Sequence, residues 1–380
     1  MSTTIEAFTG AAIFDGTRLY SDSALLIAGG RVAGIVPEAA VPAAAKNHRL
    51  SGGTLLPGYV DLQVNGGGGL MFNDQTTPDA LQTMADAHAL IGATSILPTL
   101  ITDRPERTIA AIDAVDAALR RGVTGIEGLH LEGPHLSLAR KGAHDPALIR
   151  PMSRADMTLL QDAAQRLPVL KITVAPETVT AGQIGTLSRA NVLVSLGHSD
   201  APYDLCRRAA EAGARCVTHL FNAMSPLGNR EPGVVGAALG LGSLSAGLIA
   251  DNIHVHPESM ALALRAKTGP GQIFLVSDAM ATAGSEIGGF ALNGRWIARR
   301  GDKLTLQDGT LAGAHLDLTT ALRNVLALQG VSCEQAFSMA TSRPANLIGQ
   351  ADRIGHLTKG ALANFLHLAD DLTLARVWHV

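Results

Sequence analysis

Three residues that can ligate a metal, Glu132, His198 and His219, each stand at the end of an apolar stretch with the alternation of a strand. A carboxylate there is costly to bury unless it meets a proton or a cation. Two imidazoles and one carboxylate, with a position left open for water, are ligands of catalytic zinc. We therefore predict one divalent metal, Zn²⁺ before Fe²⁺, Co²⁺ or Mn²⁺. The spacing is not a local zinc motif, so unrelated polar strand ends are the alternative.

Asp278 ends a further apolar stretch and could act as an acid/base. A carboxylate facing a metal-bound water can take its proton and later hand it to a leaving group. The alternative is an N-cap of the following turn, for which aspartate is favoured. His254 follows another apolar stretch, where an imidazole can polarise a carbonyl or hold a negative group. For His254 the alternative is a surface-loop histidine.

Two other segments could bind an anionic substrate. The planar guanidinium of Arg230 suits a phosphate group, and a surface ion pair with Glu231 is the alternative. The stretch Lys141–His144 lies in the segment after Glu132, which is too long for a plain strand-to-helix connection. We expect this long loop to shape a substrate pocket.

The segments that carry these residues alternate between strand and helix. Eight apolar stretches read as buried strands: 59–64, 94–98, 126–131, 171–175, 192–196, 216–219, 245–250 and 273–277. Helical patterns follow most of them, at 78–90, 105–121, 154–166, 202–212 and 257–266. Eight such units predict an α/β fold, a TIM-like (β/α)₈ barrel, rather than an open sheet. Functional groups of such barrels lie at the C-terminal strand ends, where the residues above fall.

The two ends of the chain have a different sequence pattern. Residues 1–55 contain short β-rich pieces separated by Asp-Gly and Gly-Gly turn signals, and residues 355–380 repeat that pattern. We therefore expect one small β-sandwich domain formed from both ends, 1–55 and 355–380, around a metal-dependent barrel at 56–354.

Composition excludes several classes of partner. The 380 residues carry a formal net charge of −3, 47% are apolar and the mean hydropathy is +0.20, so neither a nucleic acid nor a membrane surface is indicated. The cysteines, Cys206, Cys216 and Cys333, form no CxxC pair, which favours a reduced, cytoplasmic protein. The first ten residues lack the pattern of a signal peptide, and the sequence has no apolar run long enough to span a bilayer.

The sequence resembles the amidohydrolase superfamily, and within it the N-acetylglucosamine-6-phosphate deacetylase family. The resemblance covers essentially the whole chain, and its motifs run in the family's order. They are Leu56–Asp61, Gln63–Gly66, Leu131–Pro134, Lys141–His144, Gly197–Ser199, His219–Met224, Arg230–Gly233, Ser277–Ala279 and Leu311–Gly313. Each motif is weak alone, and together they are specific.

The resemblance implies roles for particular residues. It implies that Glu132, His198 and His219 bind the metal and that Asp278 is the acid/base. It implies a homodimer in which Arg230 acts on the phosphate in the neighbouring subunit's site. The implied substrate contacts are Ala143, His144, Asn222, Ala223, Arg230, His254, Leu311, Ala312 and Gly313.

The implied reaction is hydrolysis of N-acetylglucosamine 6-phosphate to glucosamine 6-phosphate and acetate, a step of amino sugar catabolism. N-acetylgalactosamine 6-phosphate or another N-acyl amino sugar phosphate is the nearer alternative. A non-catalytic scaffold is the remote alternative, since such a protein is expected to lose metal ligands or Asp278.

The chain departs from many superfamily members at the first barrel strand. Those members carry His-x-His there, which ligates a second metal, whereas this chain has Gln63 and Asn65. Neutral amides are poor zinc ligands, because zinc in proteins is bound by thiolates, imidazoles and carboxylates. We therefore predict a single metal, with Gln63 and Asn65 in its outer shell.

Overall fold

The computed structural model describes residues 4–380 of the chain. Eight parallel strands form a ring in the middle part of the sequence. They pair in chain order from strand 1 to strand 8. A parallel bridge between Val64 and Ala279 returns the end of strand 8 to strand 1. The predicted (β/α)₈ barrel is confirmed. Strands 1 to 8 are Tyr59–Val64, Ala93–Ile101, Leu129–Glu132, Leu170–Val174, Val192–Leu196, Cys216–Val217, Ser245–Leu248 and Ile273–Leu275.

Asp61 fastens this closure from within the barrel. Its carboxylate accepts the backbone N–H groups of Gln63 and Ser277, both at 3.2 Å, and so links strand 1 to the end of strand 8. Asp61 is fully buried, and burial raises the pKa of its carboxyl to about 7. The chain segments that carry Gln63 and Asp278 are thereby held beside each other.

Helices connect the strands and cover the barrel. The five predicted helices are present, four with the predicted bounds and one beginning at Tyr203 instead of Pro202. Proline starts several of them, where its missing N–H breaks no intrahelical bond. The α-helices are Pro78–Leu90, Pro105–Arg121, Arg154–Arg166, Ala181–Arg189, Tyr203–Ala212, Gly233–Gly240, Pro257–Ala266, Leu318–Leu326, Cys333–Ala340 and Ser342–Leu347, and 3₁₀ turns lie at Glu38–Ala40 and Leu138–Arg140.

A three-stranded antiparallel sheet that the sequence analysis did not predict follows strand 8. Its strands are Gly289–Leu292, Arg295–Arg300 and Lys303–Thr305. Phe290, Ile297 and Leu304 of this sheet belong to one buried apolar cluster with Ile101 and Met280. Because Ile101 and Met280 line the cavity described below, the sheet supports that cavity from outside the barrel. A short hairpin, Gly66–Gly67 with Leu70–Met71, lies after strand 1.

The chain ends form two packed sheets, so the predicted sandwich is present. Its core includes Phe8, whose ring lies edge-on to Phe365 at 4.9 Å, and Trp378, which stacks on Phe365 at 4.7 Å. Residues from both ends therefore share one apolar core. One sheet contains Ile5–Thr9, Ser23–Ala28, Arg31–Pro37 and Lys46–Arg49, and the other contains Ala12–Phe14, Leu19–Tyr20, Thr54–Pro57, Phe365–Leu368 and Leu374–Trp378.

Within residues 4–380, none of the helices combines the length and the apolar character that crossing a membrane requires.

The sandwich core gives a first testable prediction. Phe365→Ala in a Trp296→Phe background is expected to lower the free energy of unfolding of the sandwich by about 3–5 kcal/mol, because a buried aromatic is removed. The chain has two tryptophans, so Trp378, which stacks on Phe365, becomes the sole fluorescent reporter in urea titrations. Trp296→Phe alone is the control, since Trp296 is 55% exposed. An unchanged urea midpoint for the double variant would contradict the shared core.

Candidate metal centre and active site

The three predicted metal ligands converge at the C-terminal end of the barrel. The Nε2 atoms of His198 and His219 lie 3.0 Å apart. Oε1 of Glu132 lies 3.2 Å from the His219 Nε2 and 3.5 Å from the His198 Nε2. All three side chains are buried. Ligand atoms at such separations suit an ion with bonds of about 2.0–2.1 Å to nitrogen and oxygen.

An unusual backbone conformation aims these side chains. His198, His219 and Asp278 have φ angles of +45°, +31° and +51°. Non-glycine residues rarely adopt this left-handed conformation, and at functional sites the surrounding structure holds them in it. Here each residue lies two or three positions beyond the end of a barrel strand. The turn at the strand end directs the side chain toward the barrel axis.

The hydrogen bond of His198 fixes which ring nitrogen is free. Its Nδ1–H donates to the backbone carbonyl of Arg140 at 2.9 Å, because a carbonyl can accept but not donate. The lone pair of a neutral ring is therefore on Nε2, the atom that faces Glu132 and His219. A backbone carbonyl in this place is the usual partner of a metal-ligating histidine.

The electrostatics of the cluster call for a positive charge. Burial opposes ionisation of Glu132, but the neighbouring imidazoles of His198 and His219 outweigh it and hold the pKa of that carboxyl well below its usual range. Burial likewise opposes protonation of His219, yet the Glu132 carboxylate outweighs it and raises the pKa of that imidazole. A divalent cation would stabilise the Glu132 carboxylate in the same way while both imidazoles stay neutral. The donor set therefore fits such an ion.

Gln63 and Asn65 lie next to this cluster and hold Asp278. The Gln63 side-chain amide donates to Oε1 of Glu132 and to Oδ1 of Asp278, both at 3.0 Å. The Asn65 amide donates to the same Oδ1 at 2.7 Å. Burial, and next the negative charge of Glu132, raise the pKa of the Asp278 carboxyl. Two amides thus orient a buried carboxyl whose proton affinity is increased.

A cavity of about 400 Å³ opens from the cluster to the barrel mouth. A lining of polar and small apolar groups suits a compact polar ligand more than a large apolar one. Besides the metal cluster, Asn65 and Asp278, the predicted residues that line it are Ala143, His144, Asn222, Ala223, His254, Leu311 and Gly313. Ala312 is buried and does not line the cavity.

Comparison with known protein families identifies the family of this chain. The model of the amidohydrolase family matches residues 54–378, most of the chain. The chain belongs to the amidohydrolase family. The expectation of a metal-dependent hydrolase fold of this superfamily is thereby confirmed.

Relatives of this amidohydrolase carry two different substrate names. The chain is 41% identical over 373 residues to an N-acetylgalactosamine-6-phosphate deacetylase of Shewanella sp. (strain ANA-3), covering 97% of this chain and 93% of the relative. It is 33% identical over 361 residues to an N-acetylglucosamine-6-phosphate deacetylase of Haemophilus influenzae, covering 94% and 93%.

Solved structures of deacetylases are similar over nearly the whole length. N-acetylglucosamine-6-phosphate deacetylase from Pasteurella multocida matches with a TM-score of 0.94 and 34% identity, covering 99% of this chain and 98% of that one. A mutant of the Mycobacterium smegmatis enzyme in complex with N-acetyl-D-glucosamine-6-phosphate matches with a TM-score of 0.90 and 30% identity, covering 100% and 98%.

Arg230 lies apart from the other predicted site residues of this amidohydrolase. It is exposed in the loop before Gly233–Gly240 and does not line the cavity of its own chain. Among residues 4–380, no carboxylate lies at ion-pair distance from Arg230. The alternative of a surface ion pair with Glu231 is therefore wrong. Glu231 instead accepts the backbone N–H groups of Tyr203 and Gly233.

The long loop after strand 3 forms a wall of the cavity. The amide of Ser137 donates to the His198 carbonyl at 2.8 Å, and Arg140 pairs with Asp200 at 2.8 Å. His144 lies edge-on to His198 at 4.3 Å between ring centres, and its Nδ1 is 2.8 Å from Oγ1 of Thr102. The loop is therefore hydrogen-bonded to the ends of neighbouring strands.

Sequence reasoning missed Arg140 and Thr102. Arg140 acts on His198 through its backbone carbonyl, which any residue type could supply, so the sequence contains no signal for it. Thr102 follows strand 2, and its hydroxyl, which contacts His144, donates to the Glu132 carbonyl at 3.1 Å. A polar residue after a barrel strand is a weak signal that could have identified Thr102.

The metal centre gives a second prediction. Glu132→Gln is expected to weaken divalent-metal binding by more than the roughly 10–100-fold that loss of an outer partner costs, because a ligand itself is neutralised. Metal content after dialysis against a weak chelator measures this effect, with circular dichroism to check folding. His130→Gln is the matched control on the same strand, since the His130 ring contacts Thr99 and Thr173 and not the cluster. Equal metal content in both variants would contradict the assignment of Glu132.

Proposed function

We propose that this amidohydrolase hydrolyses the acetamide of N-acetylglucosamine 6-phosphate, releasing acetate and glucosamine 6-phosphate in amino sugar catabolism. The observation that carries the proposal is the buried carboxyl of Asp278, joined through the Gln63 amide to the Glu132–His198–His219 cluster. An acid/base beside three converging metal ligands is what metal-assisted amide hydrolysis requires. The names of the relatives support this substrate class.

Glu132, His198 and His219 would hold one divalent ion, and two nitrogen ligands with one oxygen ligand favour zinc over harder ions. When bound, such an ion supplies Lewis acidity and lowers the pKa of water. Gln63 and Asn65 stand where a second ion would need ligands, and their amide N–H groups point to carboxylates. This arrangement supports a single ion.

Asp278 would move the protons of the reaction. It accepts a proton from the attacking water and donates it to the nitrogen that departs, since an amine leaves poorly without that proton. The Gln63 and Asn65 amides both bond to Oδ1, so Oδ2 is the oxygen available to the reactants. A raised pKa suits a carboxyl that must hold the proton between the two transfers.

The remaining contacts would bind the sugar phosphate. His254 and His144 face the cavity and can form hydrogen bonds with the substrate. Arg230 would bind the phosphate of the neighbouring subunit's substrate in a homodimer, which its exposure and its position outside its own cavity support. Unpaired cysteines and a small-molecule substrate support a cytoplasmic enzyme.

The galacto epimer is a second candidate substrate. The 41% identical relative bears the name N-acetylgalactosamine-6-phosphate deacetylase, whereas the 33% identical relative bears the gluco name. The two sugars differ in the orientation of one hydroxyl, whose contact decides the preference. The non-catalytic scaffold finds no support in a chain that retains all three ligands and Asp278.

The substrate is tested with a panel. Acetate release from the N-acetylated 6-phosphates of glucosamine, galactosamine and mannosamine is measured, with metal content determined on the same sample. We expect the highest kcat/KM for the gluco compound and about one equivalent of metal per chain. A preference for the galacto compound would establish the second candidate. Two tightly held equivalents would refute the single-ion proposal, and inactivity on all three compounds would refute the function.

The acid/base is tested with Asp278→Asn. Turnover is expected to fall by about 10²–10⁴-fold with metal content retained, because the variant cannot carry a proton. Asp79→Asn, at an exposed position in the first helix, is the control with unchanged turnover. Normal turnover by the Asp278 variant would remove this role.

The shared site is tested by mixing subunits. Arg230→Ala and Asp278→Asn homodimers are each expected to be nearly inactive. After exchange in an equimolar mixture, about half of the dimers are mixed, and each mixed dimer has one site with both native residues. Activity should therefore return to about a quarter of the wild-type value. No recovery in dimers shown by mass spectrometry to have mixed would place Arg230 in its own subunit's site.

A further inference from the structure

His254, which faces the substrate cavity, has a partner outside that cavity, the carboxylate of Asp251. Oδ2 of Asp251 lies 2.6 Å from Nδ1 of His254. The side chains of the two residues are 6% and 9% exposed, respectively. Such a short contact, shielded from water, restricts the imidazole far more than an exposed ion pair would.

The same carboxylate also shapes the loop. Its Oδ1 accepts the backbone N–H groups of Ile253 at 2.8 Å and His254 at 2.7 Å. Asn252 between them has a φ of +61°, so the loop turns sharply over the carboxylate. Asp251 therefore fixes both the backbone of His254 and its ring.

The contact determines the chemistry of the other ring nitrogen. Burial opposes ionisation of Asp251, but the hydrogen bond from His254 and the two backbone amides outweigh it, and the pKa of its carboxyl lies below the ordinary value. An ionised carboxylate can only accept, so Nδ1 of His254 carries the proton. Nε2 is then the nitrogen available to the cavity.

We propose that Asp251 is a positioning residue that keeps Nδ1 of His254 protonated and directs Nε2 toward the substrate. The proposal deepens the proposed function and rests on it for the identity of the substrate. A carboxylate that only formed the turn would need Oδ1 alone, whereas here Oδ2 is used for the ring. Asp251 itself does not line the substrate cavity, so it acts through His254.

The tautomer of His254 tests the proposal without any substrate. In ¹⁵N-histidine spectra, with the His254 signals assigned by their loss in His254→Gln, we expect Nδ1 to be protonated in the wild-type protein. In Asp251→Asn the side-chain oxygen can still accept the backbone amides, but an NH₂ group then faces Nδ1. The neutral ring should therefore carry its proton on Nε2. An unprotonated Nδ1 in the wild-type protein would overturn the proposal even if the variant did not fold.

Asp371→Asn is the matched control. Asp371 accepts the backbone N–H of Thr373 at 2.9 Å in a turn of the same kind, is exposed and has no histidine partner among residues 4–380. Its substitution is expected to leave both the His254 spectrum and turnover unchanged. A shift of the His254 signals in this control would show that the readout lacks specificity and would overturn the assignment.

A double-variant comparison tests the effect on the reaction. Asp251→Asn should lower kcat/KM by about 10–100-fold, the range for loss of a partner that orients a metal-ligating histidine. In a His254→Asn background the same substitution should cost less than about twofold, because the two residues act as one unit. Additive losses would overturn the positioning role. If the wild-type protein hydrolyses none of the sugar phosphates, the proposed function fails and the tautomer result alone decides this inference.

Discussion

The structure depends on bringing three ligand atoms together where water is scarce. Nε2 of His198, Nε2 of His219 and Oε1 of Glu132 lie within 3.5 Å of one another in a buried site. Two imidazole lone pairs and a carboxylate repel each other unless a proton or a cation lies between them. The barrel brings the three strand ends to one place, and the left-handed conformations of the two histidines turn their rings inward. The stability of that arrangement and its chemistry therefore have the same origin.

The same cluster also affects Asp278, which lies close to the negative charge of Glu132. Two carboxylates in a buried site compete for positive charge, and burial together with Glu132 raises the proton affinity of Asp278. Gln63 donates to both carboxylates and Asn65 donates to one of them. Neutral amides can relieve repulsion between carboxylates without adding charge. The amides of Gln63 and Asn65 thus orient the carboxyl that we propose as the acid/base, so the Gln-x-Asn pattern at strand 1 is consistent with the rest of the site.

Much of this could be predicted from the sequence, because the features concerned are local. The apolar strand patterns and proline-led helices gave the barrel, and polar residues at strand ends gave Glu132, His198, His219 and Asp278. Other features depend on the assembled structure. The helix Gly233–Gly240 is apolar on every face and lacks a 3.6-residue pattern, and the strands of 289–305 are short and follow a long connection. The carbonyl of Arg140 and the carboxylate of Asp251 act through contacts with histidines that cannot be predicted from residue type.

The two substrate names among the relatives locate where specificity must arise. In the proposed reaction the metal cluster and Asp278 act on the acetamide, which is identical in both sugars. Discrimination between epimers must therefore come from the walls, namely the loop that carries His144, the segment after strand 6 with Asn222, and the Leu311–Gly313 turn. The three-stranded sheet packs behind this part of the cavity through Ile297 and Leu304, against Met280 and Ile101. Changes in that sheet can thus alter the wall of the cavity without replacing any of the three clustered ligands, which lie at the ends of barrel strands 3, 5 and 6.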